Sequence, residues 1–244
     1  MASSRAFPSL SRGALLLACL AASLATPLQA QQPAQQQAEK PQRPKDLDAL
    51  FQQFRSMRGM SASYTEKKHL SLLAVPLSSS GALHYMTDAD GANGRLVRVV
   101  TKPEPSKLTV TEKELRIADK RGTEVIDLRQ SSRVRLFVTS LMQVFRGDAN
   151  ALRRHYDVQF QHVAETRDAW RLDLTPKQAP LDKILRSLSL RGRGEAVTEI
   201  VLTEPSGDRT VTTVTKADPK RTFTPAEQLE IFGVRPAEPE KPRK

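Results

Sequence analysis

The chain has 244 residues, a formal net charge of +11, a single cysteine and only 5% aromatic residues. One cysteine excludes an internal disulfide framework, and the basic balance favours anionic surfaces or partners. Sparse aromatic residues and the lack of a nucleic-acid-binding motif argue against a nucleic-acid-binding protein.

The first 30 residues have the pattern of a secretory signal peptide. Arg5 and Arg12 form a positive region, and residues 14–25 (ALLLACLAASLA) form an apolar run that is too short to span a bilayer. The small residue Ala30 precedes the expected cleavage point. We therefore expect an exported chain that is soluble after cleavage near Ala30.

The same region permits a second interpretation, because residues 16–19 (LLAC) are similar to a lipoprotein cleavage site. Cys19 would then carry acyl chains and anchor the protein to a membrane. The residues after Cys19 remain apolar, whereas a mature lipoprotein normally becomes polar there. Cleavage near Ala30 is favoured, and it leaves a chain without cysteine.

The remaining chain divides by composition into one domain and two tails. Residues 31–45 (QQPAQQQAEKPQRPK) contain no apolar residue larger than alanine, which predicts a disordered linker. Residues 235–244 (RPAEPEKPRK) have the same character. The folded domain is therefore expected over residues 46–234.

The domain begins with a helical pattern and continues with strand patterns. Leu47, Leu50, Phe51, Phe54 and Met57 have helical spacing, which predicts one amphipathic helix between Asp46 and Gly59. After Met60 the apolar period becomes two. The predicted strands are residues 61–70, 81–86, 95–101, 107–111, 114–118 and 123–128, and their short connections require antiparallel pairing.

A wide apolar stripe then interrupts the strand pattern. It predicts a helix that ends at Gly147, and Asp148 is expected to cap a shorter helix that continues to Arg154. The stripe consists of Val134, Phe137, Val138, Leu141, Met142 and Phe145. Two interpretations stay open: plain core packing, or a lid over the sheet that moves when an apolar ligand enters.

Strands resume in the last third of the chain. Trp170, Leu172 and Leu174 alternate with polar residues, as do Leu188 and Leu190. Residues 196–203 and 209–216 flank a hairpin turn, PSGD. Each strand has one apolar face, so the sequence predicts a mainly β fold: a strongly curved, unclosed antiparallel barrel whose concave face is closed by helices.

No residue pattern predicts catalysis. The sequence has neither a nucleophile elbow nor a phosphate-binding glycine loop, and the four histidines lack metal-ligand spacing. Residues 88–94 (DADGANG) are better explained as a hairpin turn than as a calcium loop. We therefore expect no catalytic residue, no metal and no cofactor.

Several segments together resemble the LolA-like family of periplasmic outer-membrane lipoprotein carriers, in particular its LolA-related branch. The resemblance covers most of the domain. It is carried by residues 60–66 (MSASYTE), 81–85 (GALHY), 145–148 (FRGD), 170–176 (WRLDLTP), the hairpin at 200–215, and 222–225 (TFTP), which is similar to the family's closing strand.

The resemblance implies an unclosed barrel with a helical lid and an apolar cavity that shields acylated cargo, lipoproteins foremost, as it crosses the periplasm. It also implies an inner-membrane donor complex, an outer-membrane acceptor and a monomeric carrier. The stripe residues named above would form the lid. The cavity would be lined by inward apolar residues: Leu83, Tyr85, Val97, Val99, Leu108, Val110, Trp170, Leu172 and Leu174.

The chain departs from the family in two respects. Residues 92–98 (ANGRLVR) lack the proline and tryptophan that accompany the family's lid-latching arginine, so Arg95 or Arg98 would have to substitute. The chain is also poor in aromatic residues. A related lipid or polyene-type acyl product therefore remains an alternative cargo.

Two other classes of function also stay open. One is an envelope-stress sensor or protein-binding module on the same fold. The other is an enzyme that uses the cavity, with Glu66, His84 and Tyr85 as the available titratable groups.

Overall fold

A computed structural model describes residues 44–88, 91, 93–130, 132–163 and 168–234. The expected signal peptide with Cys19, nearly all of the linker and the tail from residue 235 lie outside these residues. The helices are α1 (Leu47–Ser56), α2 (Ser132–Phe145), α3 (Ala149–His155) and α4 (Pro225–Glu227), with a 3₁₀ turn at Leu181–Lys183 and a π-helical turn at Gln228–Phe232.

The strands form one antiparallel 11-stranded sheet in the order β6-β5-β4-β3-β2-β1-β11-β10-β9-β8-β7. They are β1 (Gly59–His69), β2 (Leu77–Met86), β3 (Arg95–Lys102), β4 (Ser106–Val110), β5 (Glu114–Asp119), β6 (Gly122–Asp127), β7 (Tyr156–His162), β8 (Ala169–Pro176), β9 (Ser187–Arg193), β10 (Ala196–Thr203) and β11 (Arg209–Asp218). Strands β6 and β7 are the two edges, so the barrel is not closed. The predicted fold class is confirmed.

The first helix forms where the sequence predicts it. The Asp46 carboxylate accepts a hydrogen bond from the Ala49 N–H at 2.8 Å, which satisfies one of the free donors at the helix start. Leu50, Phe51 and Phe54 are buried on the side that faces the sheet. We call the sheet face covered by α1 and α2 the concave face, and the opposite one the outer face.

The two central helices also match their predicted boundaries. Gly147 has a φ of +64° between them, and a Cβ at this residue would lie 2.0 Å from the Phe51 carbonyl oxygen. The turn therefore requires glycine both for its backbone angle and for the close approach of α1. Asp148 then caps α3 by accepting from the Ala151 N–H at 2.9 Å.

Two parts of the expected fold are wrong. Strand β7 was not predicted, although Val158 and Phe160 alternate there with polar residues. Residues 222–225 do not form a closing strand, because Thr224 makes a reciprocal capping box with Glu227 and starts α4. The C-terminal segment then packs on the outer face, where Phe232 is buried. Among the described residues, none of the helices combines the length and apolarity of a membrane span.

Candidate functional site

An apolar cavity lies between the concave face and the helices. It is lined by Phe54 and Met57 from α1 and the residue after it, by Val144 and Phe145 from α2, and by residues of the sheet and its connections. The sheet side comprises Met60, Leu83, Leu188, Leu190, Glu195, Ala196, Val197, Ile200, Val214, Ala217 and Pro219. All of these except Glu195 are apolar, so the cavity suits a hydrocarbon ligand.

The cavity is narrow in this conformation. The space not filled by atoms, including the opening to solvent, is about 700 Å³. The centre of a water-sized molecule fits in only about 60 Å³ of this space. One water needs roughly 10–15 Å³ on that measure. The closed cavity therefore has room for a few small molecules, and a longer ligand requires its walls to move.

A polar cleft adjoins the cavity at its mouth. The two share Phe54, Met57, Glu195 and Pro219, while the cleft adds the basic residues Arg58, Lys220 and Arg221. Lys220 Nζ lies 3.1 Å from a Glu195 carboxylate oxygen. The mouth thus combines an apolar interior with a mostly basic rim.

Helix α2 closes the cavity from one side. The Phe145 ring stacks on the Tyr85 ring with centroids 5.0 Å apart. Val138 and Met142 are buried in the cluster that contains Tyr85 and Val110. The predicted lid residues Phe137 and Leu141 belong to this helix, but their side chains lie outside the described part of the structure.

Contacts at the end of α2 hold the helix in place. Arg146 forms an ion pair with Glu112 in the β4–β5 turn. The Arg55 guanidinium donates to the Gly147 carbonyl oxygen at 3.0 Å. The side chain of Arg98, proposed as a latch, instead bonds Glu66 on the sheet at 2.8 Å. The contacts at this end of α2 therefore come from Arg146 and Arg55.

Apart from Val97 and Val99, the predicted cavity residues fall into three groups. Leu83 lines the cavity, together with Phe145 of the predicted lid. Tyr85, Val110 and the half-buried Leu108 and Val134 pack in the cluster around Val138 and Met142. Trp170, Leu172 and Leu174 belong instead to a second cluster beneath α1 and α3.

The second cluster packs closely around Trp170. The indole is fully buried, lies edge-to-face with Phe54 at 6.1 Å, and donates its N–H to the Gly194 carbonyl oxygen at 2.8 Å. A Cβ at Gly192 would lie 2.1 Å from the indole ring. Trp170 in β8 therefore packs against Phe54, which lines the cavity, and does not line the cavity itself.

The assignment of Val97 and Val99 to the cavity is wrong. Leu96 is the register partner of Tyr85, and Arg98 that of Leu83, so Val97 and Val99 point to the outer face. Val97 is nevertheless fully buried. The outer face of β3 is apolar because the C-terminal segment covers this part of the sheet.

The residues of β10 and β11 that line the cavity were not predicted from the sequence. Val197 and Ile200 both line the cavity although they are three residues apart, because a bulge between Val197 and Glu199 breaks the alternation of β10. Met57, Ala217 and Pro219 lie at element ends, where strand periodicity gives no signal.

A polar cluster lies on the concave face beside this wall. Glu66 accepts hydrogen bonds from Arg98 at 2.8 Å, from Ser79 at 3.3 Å and from Thr212 at 3.0 Å. The Arg98 guanidinium also lies 4.8 Å from the centroid of the Tyr64 ring. Both carboxylate oxygens of Glu66 therefore accept hydrogen bonds, which favours a structural role for this side chain.

The other two candidate titratable groups, Tyr85 and His84, lie on opposite faces of the sheet. Burial raises the pKa of the Tyr85 phenol, so it stays neutral beneath α2. His84 lies on the outer face between Phe223 and Phe232. Within the described ranges, His, Cys, Asp and Glu side chains form no group of three or more that could hold a metal ion.

A family model described as "Outer membrane lipoprotein carrier protein LolA-like" matches residues 39–226. No curated protein matches the chain. Similar solved structures include a DUF1329 family protein from Desulfovibrio piger, with 11% identity, coverage of 74% of this chain and 93% of that chain, and a TM-score of 0.44. A LolA superfamily protein from Nitrosomonas europaea matches at 11% identity over 73% of this chain and 94% of that chain, with a TM-score of 0.38. MucB matches at 12% identity over 74% of this chain, which spans 60% of the MucB chain, with a TM-score of 0.44.

Proposed function

Because this chain belongs to the LolA-like family of outer membrane lipoprotein carrier proteins, we propose that it is a periplasmic carrier for acylated cargo. Lipoproteins are the foremost candidates for that cargo. The observation that supports the proposal is the cavity between α2 and the sheet, whose lining is apolar except for Glu195.

The energetics of acyl chains explain why such a carrier is needed. Each methylene group that leaves water for an apolar environment gains about 0.8 kcal/mol. A lipidated protein therefore cannot leave a membrane at a useful rate unless its acyl chains enter another apolar site. The cavity supplies that site, and the basic rim with Arg58, Lys220 and Arg221 can face the polar part of the cargo.

Entry of an acyl chain requires α2 to move, because the closed cavity is narrow. The movable side is held by the Tyr85–Phe145 stack and by the Arg146–Glu112 pair. Val138 and Met142 also pack in the Tyr85 cluster, and Val144 packs in the Trp170 cluster, so these apolar contacts of α2 must separate as well when it opens. In this proposal α2 is the lid, and the Trp170 cluster is the fixed wall.

The route of the cargo follows from the same proposal. A donor complex in the inner membrane would load the carrier, and an acceptor at the outer membrane would unload it. The carrier would act as a monomer and would need no catalytic residue.

The test is native mass spectrometry of the protein released gently from the periplasm of its own cells. We expect bound species that carry acyl chains. The variant Ala217→Phe places an aromatic ring in the cavity wall and should reduce the bound fraction about tenfold or more, since the ring occupies the limited space.

Ala226→Phe is the matched control, because Ala226 is exposed in α4. It should leave the bound fraction unchanged. A bare mass for the parent protein, persisting after incubation with detergent-solubilised lipoproteins and lipids, would contradict the carrier proposal. That outcome would favour a sensing or protein-binding role.

A further inference from the structure

The connection between β1 and β2 exposes an unusual amount of apolar surface. This apolar loop (residues 70–77, LSLLAVPL) includes Leu72 with 95% of its surface exposed, Val75 with 72%, Leu77 with 53% and Leu73 with 47%. Single exposed leucines are common on protein surfaces, but four large apolar residues within six positions form a patch. Such a patch indicates a contact surface.

The protein holds this loop outward. The Ser71 N–H donates to the Asp208 carboxylate at 2.8 Å, and the Leu73 N–H donates to the Leu70 carbonyl oxygen at 3.0 Å. The Ser71–Asp208 bond ties the loop to the β10–β11 turn and lowers the pKa of Asp208, while the Leu73–Leu70 bond closes a turn within the loop. The loop is therefore fixed in a conformation that presents its apolar side chains to solvent.

Basic side chains flank the loop at this end of the sheet. Arg209 is the register partner of His69, which directly precedes the loop, and Lys67 is the partner of Ser78, which directly follows it. Lys102 lies opposite Ser80, three residues farther along β2. Lys67, Lys102 and Arg209 are exposed. The nearby acids are already engaged, since Glu204 pairs with Lys68 at 3.3 Å and Asp208 accepts from Ser71.

An apolar tip with basic side chains beside it is a combination that binds anionic bilayers. The apolar side chains enter the boundary between headgroups and acyl chains, and the cations contact lipid phosphates. A side chain as exposed as Leu72 touches almost nothing of its own chain, and a soft bilayer accepts such a tip without a preformed pocket. Without Arg5 and Arg12 of the expected signal peptide the chain keeps a net charge of +9, which adds long-range attraction to the same surface.

We infer that the apolar loop docks the protein on an anionic lipid bilayer, with Leu72, Leu73 and Val75 inserted and Lys67, Lys102 and Arg209 on the phosphates. This inference goes beyond the proposed function and does not depend on any cargo. The cavity lies near Met60 and Ala217, at the opposite end of β1 and β11 from the loop. Docking would therefore leave the cavity mouth facing away from the bilayer.

The first test uses tryptophan fluorescence. The natural Trp170 is fully buried and should not respond to lipid. In Leu72→Trp, emission should shift to shorter wavelength when vesicles of phosphatidylethanolamine and phosphatidylglycerol are added. Leu229→Trp is the control, because Leu229 is 51% exposed in the C-terminal segment outside the loop, and its emission should not shift.

All proteins in this test carry Cys19→Ser, which removes any acyl anchor as a source of vesicle binding. The full chain is otherwise produced and exported unchanged. No shift for Leu72→Trp, or the same shift for both variants, would overturn the inference. Binding of the loop to a protein instead of a lipid would give the first of these results.

The second test measures co-sedimentation with the same vesicles. Leu72→Ser with Val75→Ser should lower the partition coefficient about tenfold or more, since two inserted side chains are lost. Lys67→Gln with Lys102→Gln and Arg209→Gln should lower it by at least about tenfold on anionic vesicles. The charge variant should bind phosphatidylcholine vesicles as the parent does.

Unchanged binding of both variants would contradict the inference. All substituted side chains are exposed, so we expect the circular dichroism spectrum and the Trp170 emission to match those of the parent. The vesicles contain no lipoprotein, so failure here would leave the carrier proposal standing, and failure of the carrier experiment would leave this inference standing.

Discussion

Glu66 interrupts an otherwise largely apolar surface around the cavity. Its side chain is 20% exposed and that of Arg98 is 28% exposed, so the pair is only partly screened by water. Arg98 is the register partner of Leu83, which lines the cavity. The pair therefore neutralises a cation beside the apolar lining of the cavity.

Replacing the carboxylate tests this interpretation. Glu66→Gln leaves the Arg98 guanidinium without its counter-ion, and we expect the free energy of unfolding to fall by about 1–2 kcal/mol, allowing for partial exposure. Thr212→Val is the matched control. It removes only the hydrogen bond from the Thr212 hydroxyl, leaves the Arg98–Glu66 ion pair in place, and should cost about 0.5–1 kcal/mol. Urea unfolding measures both, and equal losses would argue against a role for the charge.

His84 gives the outer face a dependence on pH. Its ring lies between Phe223 and Phe232, and its Nδ1 is 3.1 Å from the Ser61 hydroxyl oxygen. Burial lowers the pKa of His84 below its ordinary value, and the positive charges of Lys107 and Arg221 lower it further, while Glu227 opposes them. The folded protein therefore favours the neutral ring.

The sign of the pH effect follows from this shift. The unfolded chain takes up a proton at His84 more readily, so the stabilisation is complete above about pH 6.5 and is lost as the pH falls. His84→Phe should reduce the loss of stability between pH 7.5 and pH 5.5, measured by urea unfolding at both values. His69→Phe, at an exposed residue of β1, should leave that loss as it is in the parent. An identical pH dependence in the parent and His84→Phe would refute the assignment.

At the scale of elements, α2 is the part whose freedom matters most. Side chains along its whole length, from Val134 to Phe145, pack on the Tyr85 cluster, and Arg146 directly after the helix pairs with Glu112. The carboxylate of Glu112 is 45% exposed, so the pair is a moderate contact. A moderate contact at a helix end is compatible with the opening proposed for α2.

Loss of this contact should loosen α2 selectively. In Glu112→Gln we expect amide hydrogen exchange in residues 134–145 to become about two- to fivefold faster, since a pair of this exposure contributes up to about 1 kcal/mol. Exchange in α1 should stay the same. Glu104→Gln breaks the exposed Lys120 pair at the far end of the sheet and is the control. Equal exchange in α2 for the parent and Glu112→Gln would show that the pair does not restrain the helix.

The sequence predicts some elements much better than others, for physical reasons. Helices α1 and α2 follow from wide apolar stripes with a cap or a glycine at the end. Reasoning from apolar periodicity fails for strand β3, because Val97 is buried on the outer face and Leu96 packs on the concave face. A strand with two apolar faces carries no alternation, and the C-terminal segment that creates the second face resembled a strand in the sequence.

The candidate site was predicted less completely than the fold. Leu83 and Phe145, both named from the sequence, line the cavity, and both lie in regular elements with clear periodicity. The wall from β10 and β11 depends on a bulge, on helix ends and on which strands become neighbours across the sheet. None of these is encoded in a local pattern, so the cavity could not be outlined from the sequence.

At the scale of the whole molecule, one pairing holds the sheet together. Strands β2 to β6 and β7 to β10 pair with neighbours in sequence, as short connections require. Strand β1 also pairs with β11, so that Tyr64 lies opposite Val214. This pairing joins the two halves of the sheet, and no local sequence pattern predicts it.

The β1–β11 pairing has a consequence for biosynthesis. A chain made from its N-terminus can form each hairpin soon after both strands emerge, but the second edge of β1 stays open until residues 209–218 are available. Non-local pairing of this kind also slows folding, since a long loop must close first. For most of its synthesis the nascent chain therefore carries an open strand edge, which is a site for misassembly or for a protective chaperone. A chain that stops before Arg209 keeps that edge open permanently.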